Sequence, residues 1–380
     1  MTTMRRITIP MLLAGLVLAS ACLPVWGKTW DPKKERELGQ QVTVEVEKHY
    51  KRLDDPEALK RLQAIVSALV PHTQRPDVEY DIRLLDTPEV NAFSIPGGFI
   101  YVTKGLLEAV QSDDELAGVL AHEIAHNCHY HALVQAERSR KLFMGALGAA
   151  LVAIILGARS EVVATTAQAG LYVRQGVLSR YSIDMEAEAD RDATRYLLAS
   201  NYNPVGILTF MERLARDERR AMPPDAGVFQ DHPLGYERVA MLINELTAAG
   251  VVINRRATIN WRKPEIKEVE VSGREEKAPA VVWWDRTIFV FVGADLEAQK
   301  ARAAEFSERL TAALAKGASR PNFTIDQVEG GVALLAYGEP LLVVTAEDAA
   351  AHGKEPALLA REALEAIYAA LTQERLAYEL

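Results

Sequence analysis

From residue 30 to about 250 the apolar positions recur mostly at helical spacing. "KKERELGQQVTVEVEKHYKRL" is amphipathic, with Asp31 placed to cap it and Pro32 at its first position. "PEALKRLQAIVSALV" is a second helix, ended by Pro71 and Pro76. The period then shortens. "VEYDIRLLD" alternates and reads as a strand. "VNAFSIPGGFIYVTKGLLEAV" holds two strands, Asn91–Ser94 and Phe99–Val102, joined by a Pro96-Gly97-Gly98 turn, and a helix from about Thr103. "DDELAGVLAHEIAHNCHYHA" is the next helix, with Ser112 or Asp113 as its cap and acids in its first turn.

An insert over 142–173 follows. Leu142–Ala158 has no charge at all, and Val162–Val173 is mostly apolar. As a helix the first part rises about 25 Å, short of the roughly 30 Å of a hydrocarbon core. Its glycines and alanines imply close packing. A helical hairpin lying on a membrane or covering the active site is therefore expected ahead of a true span. Three more helices follow: "IDMEAEADRDATRYLLASN", "PVGILTFMERLARDERR", and "HPLGYERVAMLINELTAAG" closed by Gly250.

The pattern changes again after residue 260. The charged stretch "IKEVEVSGREEKA" places a linker over 261–279. Beyond it lie a buried-type strand "TIFVFVG", a long helix, a hairpin around Tyr337-Gly338-Glu339-Pro340 and a last helix. Residues 280–380 thus read as a small α/β accessory domain. No repeat of solenoid period is present.

Composition adds little for most of the 380 residues: 49% hydrophobic, 25% charged, formal net charge -9, with no basic stripe to serve nucleic acid. The N-terminus differs. "MTTMRRITIPMLLAGLVLASAC" has two arginines, an apolar run and then small residues, the layout of a secretory signal peptide over 1–21. Ala19-Ser20-Ala21-Cys22 resembles a bacterial lipobox, so Cys22 is expected to carry lipid. Plain cleavage after Ala21 or Gly27 is the alternative. Lipidation would leave Cys128 without an intrachain partner, and it is expected to be a buried thiol.

The candidate chemistry lies in "HEIAH". Positions four apart share a helix face, so His122 and His126 can direct two imidazoles at one ion. Glu123, rotated by about 100°, falls near the ion but outside its ligand set, where a general base belongs. A zinc ion in such a site lowers the pKa of water to about 7. His129 is three residues past His126 and could reach its face, but a polar helix end is the preferred reading for His129 and His131. A third ligand has to come from elsewhere. In "DMEAEAD", Glu186 and Asp190 share a face and Glu188 points away. Glu186 on the metal with Asp190 behind a metal-bound histidine is the arrangement geometry favours.

These motifs, in this order, resemble the HtpX and CAAX prenyl protease family of zinc metallopeptidases, on the side of its periplasmic BepA/LoiP-type and mitochondrial Oma-type branch. The matching stretches are His122–His126, Ser179-Arg180 followed by Glu186–Asp190, "NAFSIPGGFIYVTKGLL" and "HPLGYERVA". The resemblance covers roughly Trp30 to Ala249. It implies an α+β fold, a mostly helical gluzincin-type peptidase domain over 30–260 with a small sheet. It implies one zinc ion per chain on His122, His126 and Glu186, Glu123 as general base and Asp190 supporting a ligand. His232 and Arg238 would lie near the open side of the metal, as oxyanion donors. In BepA-like relatives the counterpart of His232 can instead take the water position and silence the enzyme. The strand Asn91–Ser94, with Asn91, Ala92 and Phe93 as its substrate-binding residues, would pair with extended substrate. The implied function is an envelope endopeptidase acting on unfolded or misassembled proteins. It would be held at a periplasmic membrane face, preferentially the outer membrane, by lipid on Cys22 and possibly by Leu142–Ala158. A catalytically silent, chaperone-like scaffold lipoprotein is the alternative. The repeats that follow the peptidase domain in BepA are replaced here by 280–380, whose partner the sequence does not name.

Overall fold

A computed structural model describes residues 30–140, 147–156, 181–220, 236–271 and 277–378. Cys22, Ser179, Arg180 and His232 lie outside them.

The N-terminal part is built on helices. In α1 (Pro32–His49), Asp31 accepts from the Lys34 amide at 2.9 Å. α2 (Pro56–Leu69) is capped the same way by Asp55. A three-stranded sheet follows, in the order β1 (Asp81–Leu85), β3 (Phe99–Thr103), β2 (Ala92–Ile95). β1 runs parallel to β3, and β2 is its antiparallel hairpin partner, with Phe93 opposite Tyr101. Gly97 and Gly98 turn the hairpin at φ 84° and 87°, which a side chain would resist. β2 is an edge strand: among the described residues nothing pairs with its outer side.

Thr103 caps the short α3 (Lys104–Ala109), and Ser112 caps α4 (Asp113–Cys128), the helix that carries H-E-x-x-H. α4 is nearly all buried because it is the central strut. It packs on α2, on β2, on α7 (Ile183–Ala199) and on α8 (Val205–Arg220). α9 (Tyr236–Ala248) closes that side against α7 and α8. The crossing of α4 and α8 depends on Gly118, where a Cβ would come within 2.7 Å of the Ile207 Cα.

The sheet separates two apolar cores. One gathers α2, α4, α7, α8 and α9; the other gathers α1, β2, α5 (His131–Ser139) and α6 (Leu147–Leu156). α6 lies in the hydrophobic insert. Its residues 150–155 are buried against α1 and α5, so this part of the insert is protein core. No helix among the described residues is long and apolar enough to cross a membrane.

The C-terminal part has two further antiparallel sheets. One is β4 (Glu265–Val269), β5 (Ala278–Trp283), β6 (Arg286–Val290); the other is β7 (Phe323–Val328), β8 (Gly331–Ala336), β9 (Glu339–Thr345). α10 (Leu296–Ala315), α11 (Ala346–His352) and α12 (Pro356–Tyr378) complete it. β4 corrects the expected linker over 261–279. It is an edge strand whose residues are mostly exposed, so its charges gave it the look of a linker. The two parts dock through Arg256, whose guanidinium pairs with the Glu374 carboxylate and donates to the Leu314 carbonyl at 3.0 Å.

Candidate metal centre

α4 and α7 lie side by side and bring the two motifs together. His122 Nε2 and His126 Nε2 stand 2.9 Å apart. Glu186 reaches them from α7, with Oε2 3.3 Å from His122 Nε2 and Oε1 3.5 Å from His126 Nε2. Two imidazole nitrogens and a carboxylate aimed at one point form a donor set that suits a divalent metal. All three side chains are buried.

A second layer holds these ligands. Asp190 Oδ1 lies 2.9 Å from His122 Nδ1, the nitrogen facing away from the shared point. A proton held on Nδ1 leaves Nε2 as the electron-pair donor. Burial alone would lower the pKa of His122, but the Asp190 and Glu186 carboxylates outweigh it and raise the group to about 9. That negative field is what a metal cation would meet. On His126 the outward nitrogen, Nδ1, is 2.8 Å from His131 Nδ1. The Tyr181 ring stacks on His126 with centroids 3.9 Å apart. Glu123 is buried beside the ligands, 2% exposed, as a residue one step round the helix must be.

Arg238, on α9, is 5% exposed. Its Nε and Nη2 donate to the two Asp190 oxygens, each at 2.7 Å, and its Nη1 is 2.7 Å from Glu186 Oε2. The oxyanion role expected for Arg238 does not match this placement. All three nitrogens face carboxylates, because two buried acids on one helix face need a cation between them. Arg238 therefore orients a candidate ligand and its support.

Two other expectations change. His129 is the C-cap of α4, at the polar helix end expected for it, but His131 is not. Tyr130, at φ 56°, breaks the helix, and His131 starts α5 in a buried position, 3% exposed. In the expected substrate strand, Asn91 has both backbone groups engaged by Thr103, whose hydroxyl accepts from the Asn91 amide at 3.0 Å and whose amide donates to the Asn91 carbonyl at 3.0 Å. In an antiparallel pair such ladder bonds alternate, so Phe93 also turns its backbone toward β3. Ala92 and Ser94 present theirs to the outer edge.

Sequence reasoning missed the tie that fixes the metal helix to the hairpin. Glu35 of α1 accepts from the Gly97 amide at 2.8 Å and from Arg75 Nη2 at 2.6 Å. Arg75 Nη1 donates to the Asn127 carbonyl at 3.0 Å, and Asn127 Nδ2 donates to the Ile95 carbonyl at 2.9 Å. Nothing in the spacing of Glu35 or Arg75 signals this, since the contacts are tertiary. Cys128 is buried as a free thiol, as expected.

Comparison with known proteins agrees with this geometry. Residues 56–246 match the profile described as Peptidase family M48, and residues 280–374 match a domain of unknown function (DUF8459). The beta-barrel assembly-enhancing protease of Escherichia coli (strain K12) is 29% identical over 219 residues, 56% of this chain and 44% of that protein. Metalloprotease LoiP of the same organism is 29% identical over 197 residues, 51% of this chain and 73% of that one. Mitochondrial metalloendopeptidase OMA1 of Schizosaccharomyces pombe is 26% identical over 175 residues, 46% of this chain and 49% of that one. The matched stretch is thus less than half the length of the beta-barrel assembly-enhancing protease.

Proposed function

Because the chain belongs to peptidase family M48, we propose that it is a zinc-dependent endopeptidase of the bacterial cell envelope, with Glu123 as general base. The observation that carries this reading is the convergence of His122, His126 and Glu186 on one point, with buried Glu123 one residue from His122. A bound zinc ion would supply Lewis acidity, bringing water to a pKa of about 7 and polarising a scissile carbonyl.

The chain's own groups do the rest. His122 and Glu186 are held by Asp190 and Arg238, so the donor set is preorganised. Glu123 accepts the proton from the attacking water and delivers it to the leaving amine. Substrate adds in extended form along β2, pairing with the outward backbone of Ala92 and Ser94. Such pairing reads backbone more than side chains, which suits unfolded or misassembled envelope proteins as substrates. Lipid on Cys22 would hold the enzyme at the periplasmic face of a membrane, and His232 would act near the metal. His232→Ala separates its two candidate roles by sign: basal cleavage rises if the histidine is a latch and falls if it is an oxyanion donor.

The test compares cleavage of an unfolded protein such as casein by the parent, by Glu123→Gln and by Glu186→Ala, with a chelator control. Glu123→Gln should keep zinc and lose cleavage; Glu186→Ala should lose both. Cleavage by Glu123→Gln within a few fold of the parent would reject the assignment. Zinc retained with no cleavage by the parent on any unfolded substrate would favour the scaffold reading.

A further inference from the structure

Just beyond the candidate metal centre, the same two helices bring a second set of donors together. His129, His131 and Glu188 each offer one atom, all within 4.8 Å of one another. Glu188 Oε2 lies 3.1 Å from His131 Nε2, and Glu188 Oε1 lies 3.6 Å from His129 Nδ1. The two imidazole rings stack with centroids 5.3 Å apart and planes 17° from parallel.

This set repeats the plan of the first, two residues along α7. Glu186 and Asp190 serve the first group; Glu188 and Asp192, again four apart, serve the second. Asp190 stands behind His122, and Asp192 stands behind His129, with Oδ2 2.7 Å from His129 Nε2. In the neutral tautomer that keeps its proton on Nε2 toward Asp192, Nδ1 offers an electron pair on the side of Glu188, 3.6 Å from its Oε1, and a cation between the two would be held by both. A tetrahedral site with bonds of about 2.0–2.1 Å sets its ligand atoms roughly 3.4 Å from one another. The separations of 3.1 and 3.6 Å bracket that value.

We propose that His129 Nδ1, His131 Nε2 and the Glu188 carboxylate form a second site for a divalent transition metal such as Zn2+ or Ni2+. It differs from the first in access. The Glu188 side chain is 47% exposed and that of His129 23%, against 0% for Glu186. The second ion can therefore exchange with solvent, and water completes its coordination.

The two sites are joined by the His126 Nδ1 to His131 Nδ1 contact at 2.8 Å. The exposure of Glu188 and His129 makes the second site the weaker of the two. If the first site is the peptidase centre, excess metal at the second has a direct line to one of its ligands.

The experiment uses the full chain without a histidine tag, stripped by chelator and titrated with Zn2+ in a calorimeter. The parent should bind two equivalents, the second at least about tenfold more weakly. His129→Ala should bind one, with the first affinity unchanged and an unchanged circular dichroism spectrum. Glu186→Ala should lose the tight equivalent and keep the weak one, which separates failure of this proposal from failure of the first site. Glu188→Gln guards against misfolding of the alanine variant and should likewise lose only the weak equivalent. One equivalent in the parent, or a second that survives both His129→Ala and Glu188→Gln, overturns the proposal.

Discussion

Asp190→Asn tests whether the layer behind the ligands does what its geometry implies. Asp190 is 2% exposed and accepts two hydrogen bonds from Arg238, while its Oδ1 lies 2.9 Å from His122 Nδ1. Burial would raise its pKa, but Arg238 and then His122 outweigh that and hold it below the ordinary carboxylate range. The amide of asparagine keeps the shape and loses the charge. Two losses follow, and they can be measured apart. The first is in the metal-free protein. Breaking a buried ion pair by removing one partner costs about 3–5 kcal/mol. The lower end applies here, since Arg238 keeps Glu186 at 2.7 Å. Urea unfolding of the chelator-stripped protein reads it. The second is in zinc affinity. A carboxylate behind a metal-bound histidine is worth about 10–100-fold, which is roughly 1.4–2.7 kcal/mol. Competition with a chromophoric chelator reads it, with Asp192→Asn as the control, since Asp192 supports His129 and not His122. Zinc affinity in Asp190→Asn within twofold of the parent would show that His122 needs no negative partner, and the support argument would fail.

Three further outcomes are expected. Ser94→Pro removes an outward N–H without touching the β2–β3 ladder, so KM for an extended peptide should rise while zinc content and kcat hold; an unchanged KM would remove β2 as the substrate edge. Gly118→Ala puts a methyl within 2.7 Å of the Ile207 Cα, and overpacking of this kind costs about 1–3 kcal/mol, visible as a lower denaturation midpoint; no shift would show that α8 can move aside freely. Asp348, in the C-terminal part, is raised by burial but lowered more by Arg302 and the Thr345 amide, so its folded pKa lies below the ordinary value. Its stabilisation is therefore present above the unfolded-state pKa and lost as pH falls through the lower folded value. Asp348→Asn should destabilise near neutral pH and not below that window, and a pH-independent difference would contradict the linkage.

The candidate cluster was readable because helical periodicity alone places His122 over His126 and Glu186 over Asp190. The rotation that puts Glu123 beside them is equally local. Tyr181 on His126, Arg238 between two carboxylates, and the Glu35–Arg75 tie were not readable, because each joins segments whose approach only the packed fold decides. His131 was misread for a local reason: one left-handed residue, Tyr130, separates it from the end of α4 and lets it start α5 in a buried position. β4 was read as a linker because an exposed edge strand has no buried face to leave an alternating apolar trace. α6 shows the converse. Its uncharged composition fits lipid and protein core equally well, and only its burial against α1 and α5 tells them apart.

The Glu35–Arg75 tie also has a mechanical meaning. α1 is the first described helix, so any tension entering the chain from the N-terminal side arrives there. Glu35 passes it in two directions, to the hairpin turn through the Gly97 amide and to the end of the metal helix through Arg75 and the Asn127 carbonyl. A pull on α1 therefore strains the β2–β3 hairpin and α4 together and does not peel away a peripheral segment. In a chain fastened at that end, the fastening and the candidate metal centre would share one load path.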